Sequence, residues 1–302
     1  MPFHSIVHPT DFSELSINAF AHALKLALVC RGRLDIVHIA SHHDHDSDAI
    51  PPSVRHVLSI WGLAKESESP ASVAERLNFR VSKIALPPQD AASGILKYLA
   101  KHPSDLIVLA THGREGILHW LKGSVAESVA LKSGTPTLFL NPDAHGFLDE
   151  WTGDMHLRRV LVPVDHDPEP RFELKLISEF AELFGGPDLE LRLMHAGTKP
   201  PSIPIEFRTA TMGEGGVLRA GNPVDAILKE AADWHADLIA MPSAGHQDLF
   251  DAVSGSTSER VLRHAPCPVL KVTSNGVATK IAPRESFSFP VANDNKPTLF
   301  NR

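Results

Sequence analysis

Asp105-Leu106-Ile107-Val108-Leu109-Ala110-Thr111-His112-Gly113, followed nine residues later by Gly123-Ser124, has a second version further along the chain. There it reads Asp237-Leu238-Ile239-Ala240-Met241-Pro242-Ser243-Ala244-Gly245, followed nine residues later by Gly255-Ser256. Each is an apolar run of strand length, then a polar loop with glycine, then a helix start. Working outward, Ile6-Val7-His8-Pro9-Thr10-Asp11 matches Leu161-Val162-Pro163-Val164-Asp165, both apolar runs ending in Asp. Gly134-Thr135-Pro136-Thr137-Leu138-Phe139-Leu140 and Pro266-Cys267-Pro268-Val269-Leu270-Lys271-Val272 close the two units alike. Asp11 and Asp165 lie 154 residues apart, whereas Gly113 and Gly245, and Gly123 and Gly255, lie 132 apart. The chain is a duplication whose second copy is shorter between those landmarks.

Within the first copy the pattern alternates strand and helix. Strands are expected at 3–9, 34–40, 79–86, 105–110 and 136–140, with helices at 13–30, 90–102 and 124–133. Ala19, Ala23, Leu26 and Val29 give the first helix its apolar stripe, and Ser13 is its expected N-cap. Near-continuous Ile, Val and Leu strands fit a parallel sheet covered by helices on both faces. The fold class is therefore α/β, with two doubly wound domains whose ligands bind beyond the carboxyl ends of the strands. The divisions expected are domain 1 at 1–141, a linker at 142–156, domain 2 at 157–274 and a tail at 275–302. Residues 41–75 stand outside the repeat, with a helix-like piece at 54–63 and a Ser/Glu-rich turn region. In the linker, Phe147, Leu148 and Trp151 are candidate anchors onto a domain.

Composition narrows the class. The 302 residues carry 29 basic and 36 acidic side chains, net −7, which argues against nucleic acid as the main partner. No apolar run reaches membrane-spanning length. Two distant cysteines, Cys30 and Cys267, in no metal-ligand spacing fit a reduced, cytoplasmic compartment.

The glycine loop is the sharpest constellation. Glycine lets the backbone approach a phosphate closely, and a helix starting at Ser124 would aim free N–H groups at an anion. The same residues also make an ordinary turn and a helix cap, and spacing alone favours neither. Asp11 and Asp165 divide likewise between accepting from a ribose hydroxyl and capping a helix.

Thr10-Asp11-Phe12-Ser13, Thr111-His112-Gly113-Arg114, Gly123-Ser124-Val125-Ala126-Glu127 and Gly255-Ser256-Thr257-Ser258-Glu259 together resemble the universal stress protein family in its tandem form. The resemblance covers roughly 3–141 and 157–273. It implies five-stranded parallel sheets in order 3-2-1-4-5, joined through their fifth strands into an internal pseudo-dimer, with 138–140 pairing 269–272. It also implies a stress-response regulator binding ATP or another adenine nucleotide, with Mg, near the first-strand Asp and the glycine loop. Carried onto this chain, the first site comprises Pro9, Thr10, Asp11, Ile39, Leu109, Ala110, Gly113, Gly123, Ser124 and Val125. The second comprises Pro163, Val164, Asp165, Ala196, Met241, Pro242, Gly245, Gly255, Ser256 and Thr257.

Two departures weaken the second site. The family's first loop glycine is replaced by Ala110 in one half and by Pro242 in the other. Proline has no N–H to give a phosphate. Asp248 also stands where the first loop has Gly116. The first half is thus expected to be the nucleotide site, and the second to be degenerate or differently selective.

Eighteen histidines occur. His42-His43-Asp44-His45-Asp46 lacks helix-fixed spacing and reads as a solvated loop rather than a metal site. His38 and His195, in matching places, read as structural sheet-end residues, and His112 as a loop residue near the phosphates. No P-loop, nucleophile elbow or zinc-hydrolase motif occurs, so no catalytic residue is nominated. Two other functions stay open: an interaction module that binds no nucleotide, and a slow ATP hydrolase or nucleotidyl transferase. A protein partner and further association into a homodimer are compatible with all three.

Overall fold

The computed structural model describes residues 3–40, 53–65, 67–111, 125–141, 144–166, 170–199, 201, 217–243 and 257–273. The first half runs β1 (Ser5–Pro9), a 3-10 turn (Glu14–Ser16), α1 (Ile17–Cys30), β2 (Arg33–Ile39), α2 (Val54–Ile60), α3 (Pro70–Leu77), β3 (Arg80–Leu86), α4 (Ala91–Lys101), β4 (Leu106–Ala110), α5 (Val125–Ser133) and β5 (Thr137–Leu140). The second runs β6 (Arg159–Pro163), α6 (Arg171–Phe184), β7 (Glu190–Ala196), β8 (Val217–Arg219), α7 (Pro223–Asp233), β9 (Leu238–Ser243), α8 (Thr257–His264) and β10 (Val269–Thr273).

All ten strands form one sheet in the order β3-β2-β1-β4-β5-β10-β9-β6-β7-β8. Each half therefore has the expected 3-2-1-4-5 order, parallel throughout. The halves meet antiparallel where Val269, Leu270 and Lys271 face Phe139, Leu138 and Thr137. The alternating side chains of each strand feed two cores, one per sheet face. Ile6, Leu106, Val108, Leu138, Leu270 and Val160 pack on the face of α1 and α6. Val7, Ile107, Leu109, Phe139, Val269 and Leu161 pack on the face of α4, α5, α7 and α8. Both cores run through both halves, so burial couples them.

The loop between β1 and α1 is built from side-chain acceptors. Thr10 Oγ1 accepts from the Phe12 N–H at 3.0 Å, and Asp11 Oδ1 accepts from the Ser13 N–H at 3.0 Å. Ser16 Oγ donates to the Ser13 carbonyl at 2.7 Å. Ser13 itself caps nothing with its side chain, and its hydroxyl is buried without a partner among the described residues. Ser13 thus stands at the expected N-cap position, before the 3-10 turn, but caps through its backbone carbonyl alone, while Thr10 and Asp11 take the N–H groups of Phe12 and of Ser13 itself.

Two expectations need correcting. The Ser/Glu-rich region contains α3, started by Ser69 Oγ accepting from the Ser72 N–H at 3.1 Å with Pro70 at its first position. The edge strand β3 is buried on neither side, since Arg80 and Ser82 are exposed on one face and Lys83 and Ala85 on the other. In the connecting segment Phe147 and Leu148 are buried, but Trp151 is 76% exposed. Phe147 packs edge-on against His22 of α1 and Phe180 of α6, at centroid distances of 4.7 and 6.5 Å. Its anchorage is thus to both halves at once. Trp61 of the α2 region ties the same segment down by donating to the Glu150 carbonyl at 2.9 Å.

Candidate functional site

β1 lies between β2 and β4, so the chain leaves it toward opposite sides of the sheet. Ligands of open α/β sheets bind in the crevice at such a reversal. The first-half residues Pro9, Thr10 and Asp11 end β1, Ile39 ends β2, and Leu109 and Ala110 end β4. The structure brings their strands together at this end, with Val125 at the first position of α5. Gly113, Gly123 and Ser124 lie outside the described residues, as do Gly116, His112 and the 42–48 histidine cluster.

The β1 end is held rigidly. His38 Nδ1 meets the Thr10 carbonyl at 2.9 Å, and the His38 ring lies 4.5 Å from that of Phe12. Phe12 has φ 58, a left-handed backbone that a non-glycine residue adopts at a cost. Its ring contact and the Thr10 and Asp11 acceptors hold it there. Beneath the loop, His8 is fully buried, with Nδ1 bonded to the Val108 carbonyl at 2.9 Å. Burial drives its pKa down to about 4, outweighing the backbone hydrogen bond and the nearby Asp11 carboxylate. Its ring is therefore neutral at pH 7.

In the second half the corresponding strand ends enclose a cavity of about 220 Å³. Seven residues singled out from sequence line it: Pro163, Val164, Asp165, Ala196, Met241, Pro242 and Thr257. Gly245, Gly255 and Ser256 lie outside the described residues. Pro242 does not open the loop but sits within β9, in register with Val272 of β10, and forms a wall. His195 repeats the role of His38, its Nδ1 meeting the Val164 carbonyl at 2.9 Å. The Asp165 carboxylate, 79% exposed, stands 3.8 Å from that nitrogen at the cavity mouth.

Ser258, whose hydroxyl at a helix start is visible in the sequence, also lines the cavity at 8% exposed, and sequence reading missed Glu173 and Ser243, 4% and 5% exposed. Glu173 had a visible signal. It occupies the stripe formed by Ile177, Phe180, Ala181 and Phe184 of α6, where an apolar residue is expected. The 154-residue spacing places it opposite Ala19 of α1, which is fully buried.

Fold and strand-end geometry define the class, a duplicated α/β protein with a strand reversal in each half and a cavity at the second. A family model described as the universal stress protein family matches residues 2–141 and 211–273, and the chain belongs to that family. A protein of Thermus aquaticus described as a universal stress protein in the QAH/OAS sulfhydrylase 3′ region is 41% identical over 119 residues, 39% of this chain and 79% of that protein. A universal stress protein of Methanothermobacter thermautotrophicus is 35% identical over 80 residues, 26% of this chain and 49% of its own length. Among solved structures, a universal stress protein of Archaeoglobus fulgidus has TM-score 0.61 at 22% identity, covering 90% of this chain and 97% of that one. A functionally unknown protein of Pseudomonas aeruginosa has TM-score 0.63 at 16% identity, covering 92% and 95%. No helix among the described residues is long and apolar enough to cross a membrane.

Proposed function

We propose that the protein is a cytoplasmic stress-response regulator that binds an adenine nucleotide, ATP or AMP with Mg, in its first half. The observation that carries this reading is Asp11. It lies two residues past the end of β1, whose neighbours β2 and β4 end at Ile39 and Ala110, and its Oδ1 accepts from the Ser13 N–H. A pre-oriented acceptor at a sheet's strand reversal suits a ribose hydroxyl. Gly113, Gly123 and Ser124 follow in sequence with the spacing of a phosphate-cradling loop leading into α5. Ala110 keeps the backbone N–H that the second half loses at Pro242. Occupancy would be read by a protein partner as a change in surface, with binding rather than turnover as the function.

Calorimetric titration with Mg-ATP, ADP and AMP tests this, with Gly123→Val and Gly255→Val alongside. Nucleotide heat lost in Gly123→Val and kept in Gly255→Val is the expected result. Folded, nucleotide-free protein giving no heat with any of the three overturns the reading in favour of an interaction module. Rapid turnover to ADP would instead place the protein among the hydrolases.

A further inference from the structure

The second-half cavity holds a feature that phosphate binding does not explain. Glu173 lines it while 4% exposed, and none of the described residues makes a hydrogen bond or ion pair with its carboxylate. It is the third residue of α6, the position from which a glutamate normally reaches back to the N-cap N–H. Here the N-cap is Pro170, which has no N–H. Among the described residues, then, nothing donates to this carboxylate, and the residue lines the cavity.

Around it, Pro163, Val164, Ile227 and Met241 supply apolar walls, and Ser243 and Ser258 supply hydroxyls. Asp165 adds a second carboxylate at the mouth. A phosphate placed in this space would meet two carboxylates and a proline with no donor, and like charges in contact are strongly disfavoured. The space, about 220 Å³, falls below the roughly 300–1,000 Å³ of drug-sized ligand sites, which favours a compact occupant.

We propose that the second half binds a small phosphate-free ligand that donates an N–H to Glu173, of the size of a nucleoside or smaller. An amino group of a nucleoside and an alkylammonium share that chemistry. Donation to the carboxylate would give it a partner within the cavity, and the apolar walls would take the ligand's body. The two halves would then read different ligands from one sheet, because Ala19 stands where Glu173 does. This inference rests on the second cavity alone and holds whether or not the first half binds nucleotide.

The test uses full-length protein with ¹³C-methyl isoleucine and methionine. Ile227 and Met241 report the second cavity, and Ile39 the first site. Adenosine, butylamine and ATP are titrated separately. The expected result is that adenosine or butylamine moves Ile227 and Met241 at least tenfold more tightly than ATP does. Glu173→Gln, near-isosteric and checked by its methyl spectrum, should reduce that preference to threefold or less. The proposal is overturned if ATP moves Ile227 and Met241 as tightly as the phosphate-free probes. It is equally overturned if neither adenosine nor butylamine moves them at millimolar concentration, or if Glu173→Gln leaves the preference unchanged. Failure of ATP to move Ile39 would count against the nucleotide reading of the first half and leave this one standing.

Discussion

Acid should destabilise this protein through two buried histidines. His8 sits beneath the β1 loop and His22 on α1 at the seam between the halves, and each has a pKa lowered to about 4. Burial is the main cause for both. Their backbone partners, the Val108 and Asn18 carbonyls, push the other way without compensating. In the unfolded chain both return to about 6.5. Above pH 6.5 both states are neutral and the full stability is present. Between pH 6.5 and 4 the unfolded state takes up protons that the folded state refuses, so stability falls as pH falls.

At about 1.36 kcal/mol per pH unit per group, a shift from 6.5 to 4 costs on the order of 3 kcal/mol for each histidine. The pair together approach about 7 kcal/mol, a large share of the roughly 5–15 kcal/mol of a typical domain. Urea unfolding followed by circular dichroism at pH steps from 7.5 to 4 measures this. Asn keeps a short amide donor for the Asn18 carbonyl and cannot titrate. His22→Asn should therefore flatten the decline by up to one proton, about 1.36 kcal/mol per pH unit, even though its stability at pH 7 is lower. His8→Asn should do the same. If both variants lose stability with the wild-type slope between pH 6.5 and 4, the reasoning about neutral buried rings fails.

Phe147→Ala should cost about 3–5 kcal/mol by differential scanning calorimetry, because a fully buried ring touching both α1 and α6 is removed. It should lower a single shared transition, since both cores span the two halves. Glu230, 1% exposed, is held by Arg192 at 2.8 Å and by Arg219. Glu230→Ala should cost about 3 kcal/mol in urea unfolding, the low end for breaking a buried pair, as both arginines keep contact with water. Cys30 and Cys267 are buried thiols pushed up to about 12, so a maleimide should label neither until denaturant is added.

Much of the architecture was legible because strand alternation and duplication are patterns of the chain itself. The runs 106–110 and 238–243 carried their own strand signal, and the matched closing segments marked the pair β5 and β10. The Ser69 cap and Pro70 start of α3 were also in the sequence, but its polar composition read as a turn. What makes it a helix is Val73 and Leu77, one turn apart, packing onto the core while its polar residues face water. The cap at Ser13 was legible as a position and not as a bond: Ser13 precedes the 3-10 turn, but its hydroxyl accepts from no N–H among the described residues.

The site was legible residue by residue and less so as a surface. Asp165, Met241 and Thr257 line one cavity, as their matching with the first half suggested. Glu173 escaped because an acidic residue in a helix's first turn usually answers to the helix dipole, a reading that masked its place on the apolar stripe of α6. Pro242 read as a defect of a loop, whereas in three dimensions it is a strand residue and a cavity wall.

Native mass spectrometry of the full chain, stripped of ligands and then given Mg-ATP, measures the central claim directly. The account predicts one nucleotide per chain, lost in Asp11→Ala and retained in Asp165→Ala. No adduct on folded protein, or an adduct lost in Asp165→Ala and kept in Asp11→Ala, would contradict it.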